Sequence, residues 1–577
     1  INPLAVELAR VSLWVETLDP ELPFSFLDHK IKVGNALVGC WLNRVEDYPL
    51  RAWEREGGDG KNGERTGRIE TFLKGEKIGN RRVGDGIVKQ EMRRVIEGRF
   101  LGVRSFFDEP GQKPHEIVES YRTQLEDLHR GATRTPEGQE KRYKSIEHSE
   151  PVRRLKELMN EWCAIWFWPS DAESMAQAPT PLTFHQESAT RAVLVSQLAT
   201  GLKFFHWELE YPDVFTSERS GFDAMIGNPP WDVMKPNSQE FFTDYDPLYR
   251  TYDKQKALQR QRLAFAEIPG VVQSWDEYNA YFKAMSNWAG KVADPFDVPL
   301  ARGKEGEALA SSWAKHRLKR PVYADSEHPF RLQGSADLNS YKMFAEVFWN
   351  LMRPDGRVGV ILPTGIYSDF GTKALRETLL NRGRIDLLYA FQNEKRVFAG
   401  AHHSFKQVAL IAAKGGHTTA FRTRFRMGVG DSPEAHEIPD DLLRGDTRAM
   451  VFTPEDVRLN SPNTLSLVEV RSDRDLEIFR KIYTNSVRIG DGAPGWEVTY
   501  AREFDMSNDS KLFPPRDKME SEGYKPDCYG RWIGPGGDYA LPFYQGVSIN
   551  QFDFSQKGWE SGLGRSAAWR SISFDSK

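Results

Sequence analysis

Along the first eighteen residues, Leu4, Leu8, Val11, Trp14, Val15 and Leu18 recur every three or four positions, which predicts one helix over Pro3–Leu18. Asn2 suits its N-cap and Pro3 its first helical position. Ile31–Val33 reads as a short strand running into Gly34-Asn35-Ala36. From about Arg51 to Gly138 the chain is charged and Gly-rich, without a sustained period. A helix returns after Ser149 and runs to about Phe167, with Leu155, Leu158, Met159, Trp162 and Trp166 on one face. At that spacing the cluster Trp166-Phe167-Trp168 is better read as core than as a base-stacking platform.

Phe222–Ile226 reads as a short buried strand that ends in Gly227-Asn228-Pro229-Pro230-Trp231. Val233–Leu332 is polar and helical with scattered aromatics, like an insertion. A regular alternation follows: helix Leu338–Leu351, turn Arg353-Pro354-Asp355-Gly356, strand Arg357–Leu362, helix Thr372–Asn381, and strands Ile385–Ala390 and Gln407–Ala413. Such alternation predicts an α/β fold with a parallel sheet covered on both faces. After Gly416 the pattern changes to a helix at Ser472–Tyr483. From Gly495 there is a Gly-, Pro- and aromatic-rich module with short strand-like runs.

The 577 residues are 39% hydrophobic and 28% charged, enough for sizeable cores and for roughly three to five structural units. Mean hydropathy is −0.57, and no run approaches the roughly 18 apolar residues of a membrane helix. Cys40, Cys163 and Cys528 lie far apart without a CxxC pair, which argues against a disulfide framework or zinc site and fits a reducing, cytoplasmic setting. His402 and His403 lack partners at ligand spacing, so no metal is expected. The net charge of −4 excludes a whole-chain basic footprint for nucleic acid. Lys61–Arg104 carries 12 Lys/Arg against 6 Asp/Glu, a surplus best read as a solvated segment. The chain opens on Ile1 rather than Met, shows no targeting peptide, and stops at Lys577 without a closing element, so it reads as an internal piece of a longer protein.

The sharpest chemical signal is Asn228-Pro229-Pro230-Trp231 at the carboxyl end of a strand, where open α/β sheets bind ligands. Two prolines fix the backbone and remove two N–H donors, leaving carbonyls as acceptors. Asn228 adds a side-chain carbonyl and Trp231 a flat face. Such a set can take both N–H bonds of a planar amine while a ring stacks on it. That helps a conjugated exocyclic amine, whose lone pair is otherwise delocalised into its ring. The plain alternative is a Pro-Pro turn with a core Trp.

The segment Phe222-Asp223-Ala224-Met225-Ile226-Gly227-Asn228-Pro229-Pro230-Trp231 resembles motif IV of the gamma-type adenine-specific (N6) DNA methyltransferases. Ile1-Asn2-Pro3-Leu4-Ala5-Val6-Glu7-Leu8-Ala9 is similar to the motif II segment of large type IIG restriction–methylation enzymes, and Lys32-Val33-Gly34-Asn35-Ala36-Leu37-Val38-Gly39 to their motif III. Phe205–Phe215 resembles the segment before their motif IV. Asp337–Lys342 and Gly359–Pro363 resemble the helix and strand after it. Val397-Phe398 with Ser404-Phe405-Lys406 looks like motif VIII, and Leu541–Gly546 with Gln551-Phe552-Asp553 like the start of a target-recognition region. The large adenine methylases of BREX and DISARM phage-defence systems share these features.

The resemblance implies a class I, Rossmann-like S-adenosylmethionine-dependent methyltransferase, N-terminally truncated, with helical insertions and the start of a C-terminal target-recognition domain. It divides the chain into an incomplete catalytic domain at 1–40 and 195–415, a charged helical insertion at 41–194, a helical insertion at 232–332, a connecting segment at 416–494, and an incomplete recognition domain at 495–577. It implies catalytic roles for Asn228, Pro229, Pro230 and Trp231, and base stacking by Trp231 and Phe398. Ile1, Asn2, Asn35, Ala36 and Asn228 would contact the cofactor, and Phe543, Tyr544, Gln545 and Gln551 would read DNA. Double-stranded DNA is the implied partner, with a nuclease domain or defence-system subunits alongside and no membrane. Two departures stand out: the Gly-rich motif I would fall before Ile1, and the commonly acidic position of motif III is Asn35. Alternatives are a methyltransferase for protein glutamine or an RNA amine, or a DNA-binding remnant without activity.

Overall fold

The computed structural model describes residues 3–17, 30–98, 106–130, 136–215, 220–252, 254–296, 304–317, 330–334, 337–393, 398, 402, 404–426 and 449–486, then 509, 512–514, 516–527, 531–541, 557–561 and 568–571. The chain forms two compact units, Ile1–Ser486 and Val487–Lys577. In the second, strands Lys525–Pro526, Trp532–Ile533 and Tyr539–Ala540 make a small antiparallel sheet, and Lys557–Ser561 pairs with Ala568–Ser571.

Two cores organise the first unit. One is helical, and it draws on α2 (Glu64–Lys74), α3 (Ile87–Ile96), α4 (Pro114–Arg130), α5 (Pro136–Glu147), α6 (Glu150–Trp166), α7 (Ala172–Ala176), α8 (Ala189–Leu202) and α9 (Trp207–Glu210), whereas α1 (Pro3–Thr17) leaves Leu4, Leu8 and Val11 exposed and the hairpin β1 (Glu76–Ile78) and β2 (Arg81–Val83) is likewise exposed. Trp53, Trp162, Trp166, Trp168 and Trp288 are fully buried at the heart of this core, and Trp166 meets Trp288 edge-on at 5.4 Å. The Trp166–Trp168 cluster is therefore core. The stretch read as aperiodic instead contains α2, α3 and α4. Each buries a short stripe one helical turn apart, Ile69 and Leu73, Val88 and Met92, then Ile117, Tyr121 and Leu125. In α2 and α3 the buried apolar residues are too few to stand out among so many charges. Several of the basic residues there are paired locally, Arg68 with Glu64, Arg82 with Glu70 and Arg93 with Asp85. Ile31–Val33 is also not a strand; the chain there makes a single parallel bridge, Asn35 to Phe204.

The second core lies on a six-stranded sheet of order β3-β4-β6-β5-β7-β8, comprising β3 (Phe222–Gly227), β4 (Met352–Pro363), β5 (Gly383–Gln392), β6 (Lys406–Lys414), β7 (Phe421–Arg426) and β8 (Met450–Phe452). The fold is α/β, but the sheet is mixed rather than parallel. β3 and β4 are parallel, as are β5 and β7, while β6 runs antiparallel between β4 and β5. A parallel return from β5 to β6 would need a crossover of a dozen or more residues, usually helical; only thirteen separate the two strands, and the described ones among them include no helix, so the pair closes antiparallel. The expected turn at 353–356 is a bulge in β4 between Met352 and Arg357, with Asp355 at φ +61°.

Alternation along the strands separates two faces. Val358, Val360, Leu362, Leu388, Ala390, Val408 and Leu410 join the larger core, while Ile361, Tyr389, Phe391 and Ala409 form a small cluster of their own. After β3 come α10 (Ser238–Thr243), α11 (Lys254–Glu267), α12 (Val271–Lys291) and α13 (Lys304–Arg317), and then α14 (Ser340–Leu351), which joins the sheet core to the helical one. Met343, Val347 and Leu351 pack on the helical core, and Tyr341 and Trp349 on the sheet core.

The segment 205–211 stitches residues 30–42 to the helical core. The Phe205 amide donates to the Val38 carbonyl, Trp207 Nε1 to the Ala36 carbonyl at 3.1 Å, and the Tyr211 hydroxyl to the Lys30 carbonyl. The Leu42 amide donates to the buried Glu208 carboxylate at 2.7 Å, and Glu210 pairs with Lys156 and Lys32. His206 Nδ1 accepts from the Cys40 amide at 3.0 Å, which leaves Nε2 to donate to Asn160 Oδ1 at 3.0 Å. Burial, with Lys156 nearby, lowers the His206 pKa to about 3. The unfolded chain therefore binds a proton near pH 6.5 that the folded chain refuses, so stability falls as pH drops from about 6.5 toward 3. Glutamine can replace both hydrogen bonds without titrating. His206→Gln should accordingly show a smaller drop in melting temperature between pH 7 and pH 5 than the wild type, and identical drops would remove His206 as a contributor.

Candidate functional site

β3 delivers Asn228 to the carboxyl edge of the sheet. It pairs on one side only, with β4, and ends where Pro229 and Pro230 offer no backbone donor to continue the ladder. Asn228 and Pro230 are exposed, Pro229 is buried and Trp231 is half-buried. Among the described residues, neither the Asn228 carboxamide nor the Pro229 carbonyl is engaged by another protein group, so two acceptors stand open side by side.

The next residues are clamped by the start of α14. Ser340 Oγ lies 2.7 Å from the Pro230 carbonyl and 3.1 Å from that of Asp232, and the Ser340 amide donates to Asp232 at 2.9 Å. The Met234 amide donates to the Leu338 carbonyl, and Val233 bridges Asn339. Asn339 itself caps the helix through the Tyr341 amide. Behind the clamp, buried Glu346 accepts from the amides of Arg331 and Leu332 and from Gln333 Nε2. Burial nonetheless raises the Glu346 pKa. Lys342 Nζ holds the carbonyls of Gln333 and Asp337, and burial lowers its pKa. Tyr341 reaches toward Asp369 at 3.5 Å, and burial followed by that carboxylate raises the phenol's pKa.

Trp231 packs against the larger core of the sheet, and its Nε1 is buried without a partner among the described residues. Phe398 packs instead with the Tyr389–Phe391–Ala409 cluster on the other face. It is held by Asn393, whose side chain accepts from the Phe398 amide and donates to its carbonyl. The two rings expected to flank a base thus rest on opposite faces of the sheet. Asn35 Oδ1 accepts from the Leu37 amide, and the Ala36 carbonyl is taken by Trp207. Ile1, Asn2, Phe543, Tyr544, Gln545 and Gln551 lie outside the described residues. His402 is exposed and bonds Ser404, and among the described residues no cluster of His, Cys, Asp or Glu could hold a metal. Cys40 and Cys163 are buried free thiols.

Sequence reasoning missed Ser340, Glu346 and His206 as organisers of this region. The residues Asn339-Ser340 ahead of an apolar helix carried a capping signal, but nothing in one sequence says which loop a helix start will grip.

Residues 1–262 match the family described as Eco57I restriction-modification methylase. No curated protein matches the chain. Among solved structures, it is similar to a modification subunit of a putative type I restriction enzyme from Vibrio vulnificus YJ016 (13% identity, 82% of this chain and 88% of that one, TM-score 0.22). It is also similar to a type I restriction-modification methyltransferase subunit from Streptococcus thermophilus (11%, 81% and 99%, TM-score 0.22) and to the type IIG restriction endonuclease BpuSI (11%, 73% and 46%, TM-score 0.19). At those scores the structural likenesses add no weight to the family match. Among the described residues, no helix is long and apolar enough to cross a membrane.

Proposed function

We propose that this chain transfers a methyl group from S-adenosylmethionine to the N6 amine of an adenine flipped out of double-stranded DNA, within a restriction-modification or phage-defence system. The observation that carries this reading is the pair of open acceptors, Asn228 Oδ1 and the Pro229 carbonyl, at the carboxyl end of β3. Together they fit the two N–H bonds of an exocyclic amine. Accepting both draws the nitrogen toward sp³ and frees its lone pair to point outward. Positioning then carries the rate without a strongly basic group.

S-adenosylmethionine supplies an electrophilic methyl when bound. The described residues fit the amine end of the reaction. At the cofactor end, the Asn35 side-chain oxygen accepts from the Leu37 amide and the Ala36 carbonyl from Trp207, while Ile1 and Asn2 lie outside the described residues. What this chain's own residues do is hold the amine through Asn228 and Pro229, and present the Trp231 ring at the same corner of the sheet. Stacking on such a ring offsets part of the few kcal/mol of unpairing that flipping costs.

In the full-length protein, Asn228→Ala should lower kcat for DNA methylation about 100-fold or more while leaving the Kd for DNA within about threefold, because Asn228 acts on the amine only after flipping. Wild-type turnover in Asn228→Ala would overturn the reading, as would a preference for protein or RNA acceptors over plasmid DNA. Trp231→Phe should keep much of the activity. Trp231→Ala should lose about 1–3 kcal/mol of stacking, and equal activity of the two would make Trp231 a packing residue alone.

Discrimination among flanking base pairs needs base-edge contacts beyond the flipped adenine. The unit Val487–Lys577, folded on its own strands, suits that task. Exchanging residues 495–577 for the matching region of a relative should change the methylated site and leave the methylated atom the same, as read by sequencing that detects modified adenine. A folded, active exchange protein that keeps the original site would place recognition elsewhere.

A further inference from the structure

The loop after β3 cannot shape itself. Pro229 and Pro230 have no N–H, so the loop has two fewer donors with which to bond its own carbonyls. Its shape must be imposed by donors from outside, and α14 supplies them. Ser340 is the first residue of that helix, where the backbone N–H has no partner within the helix. That amide donates to the Asp232 carbonyl at 2.9 Å, while the side-chain hydroxyl lies within hydrogen-bond reach of the carbonyls of both Pro230 and Asp232. These carbonyls sit immediately before and after Trp231. Holding both fixes the peptide unit that enters Trp231 and the one that leaves Asp232, and so limits the direction of the ring between them. It also engages the Pro230 carbonyl, so that Pro229 and Asn228 are left as the open pair.

We propose that Ser340 is a positioning residue for the transfer reaction: its hydroxyl sets the Asn228–Trp231 loop in the shape that receives the amine, without itself touching substrate. This rests on the reading of Asn228 and Pro229 as the amine's acceptors. Ser340 is 3% exposed and cannot act on a bound base directly. Its buried setting is anchored from behind, since α14 is wedged into both cores through Met343, Val347 and Leu351 on one side and Tyr341 and Trp349 on the other. The hydroxyl is thus a fixed donor on a rigid element, the arrangement that keeps a catalytic loop in place.

The test compares Ser340→Thr with Ser340→Val, which have the same shape and differ in the hydroxyl, beside Ser340→Ala and Asn228→Ala in the full-length protein. Ser340→Thr should keep kcat within about threefold of wild type. Ser340→Val and Ser340→Ala should lower it roughly 10- to 100-fold, at a KM for DNA within about threefold of wild type. A second readout needs no turnover. With 2-aminopurine in place of the target adenine, a well-placed Trp231 ring should quench the flipped base in wild type and Ser340→Thr, and emission should be brighter in Ser340→Val. Equal kcat and equal emission for the Thr and Val variants, beside an inactive Asn228→Ala, overturn the positioning role alone. A wild-type protein that methylates no adenine overturns the reading of the site, and the positioning role with it.

Discussion

Everything near the site depends on α14 being gripped from two sides. Its residues Met343, Val347 and Leu351 recur every fourth position and enter the helical core, while Tyr341 and Trp349 enter the core on the sheet. A helix packed on both flanks cannot shift along its axis without opening a gap in one core, and close-packed interiors resist such gaps. Its first turn therefore stands still, and the loop after β3 hangs from it through Ser340, Leu338 and Asn339. The buried polar groups on the same helix are satisfied by the segment behind it. Glu346 takes the amides of Arg331 and Leu332, and Lys342 the carbonyls of Gln333 and Asp337.

Much of this was legible in the sequence where periodicity and punctuation agree. β3, α14, β5 and β6 fall within a residue or two of where the pattern put them, while β4 begins earlier, at Met352, and takes in the expected turn; Asn339 and Ser472 cap their helices through their side chains. What was not legible was long-range. The antiparallel placement of β6 depends on what the residues after β5 do, not on the strand's own apolar run. The helices α2 and α3 bury so few apolar residues that their stripe vanishes among charges, and only the fold shows which residues face inward. The motif Asn228–Trp231 could be read from four residue types, yet its geometry is set by Ser340, more than a hundred residues later.

The same division runs through the segment before the motif. His206, Glu208 and Glu210 have the look of catalytic residues when seen as letters, and the fold spends them on holding residues 30–42 in place. A histidine between a backbone amide and an asparagine oxygen, kept neutral by burial, is a fixed bracket and not an acid or base. Phe398 carries a related lesson. Alternation along β4 to β6 assigns Trp231 and Phe398 to clusters on different faces, a relation that only strand register can fix.

The outermost position of β3 has a cost of another kind. Ile226, 87% exposed, stands two residues from Asn228 on a strand whose outer backbone groups have no sheet partner among the described residues. Within the described residues that edge is a vacant ladder able to accept another extended segment. Asp223, paired with Arg353, puts a charge near the start of that edge, as gatekeeping residues do, but the end beside the motif has no such guard. The edge that brings Asn228 to the rim of the sheet is thus also the place where a further strand, from elsewhere in this protein or from another, can join it.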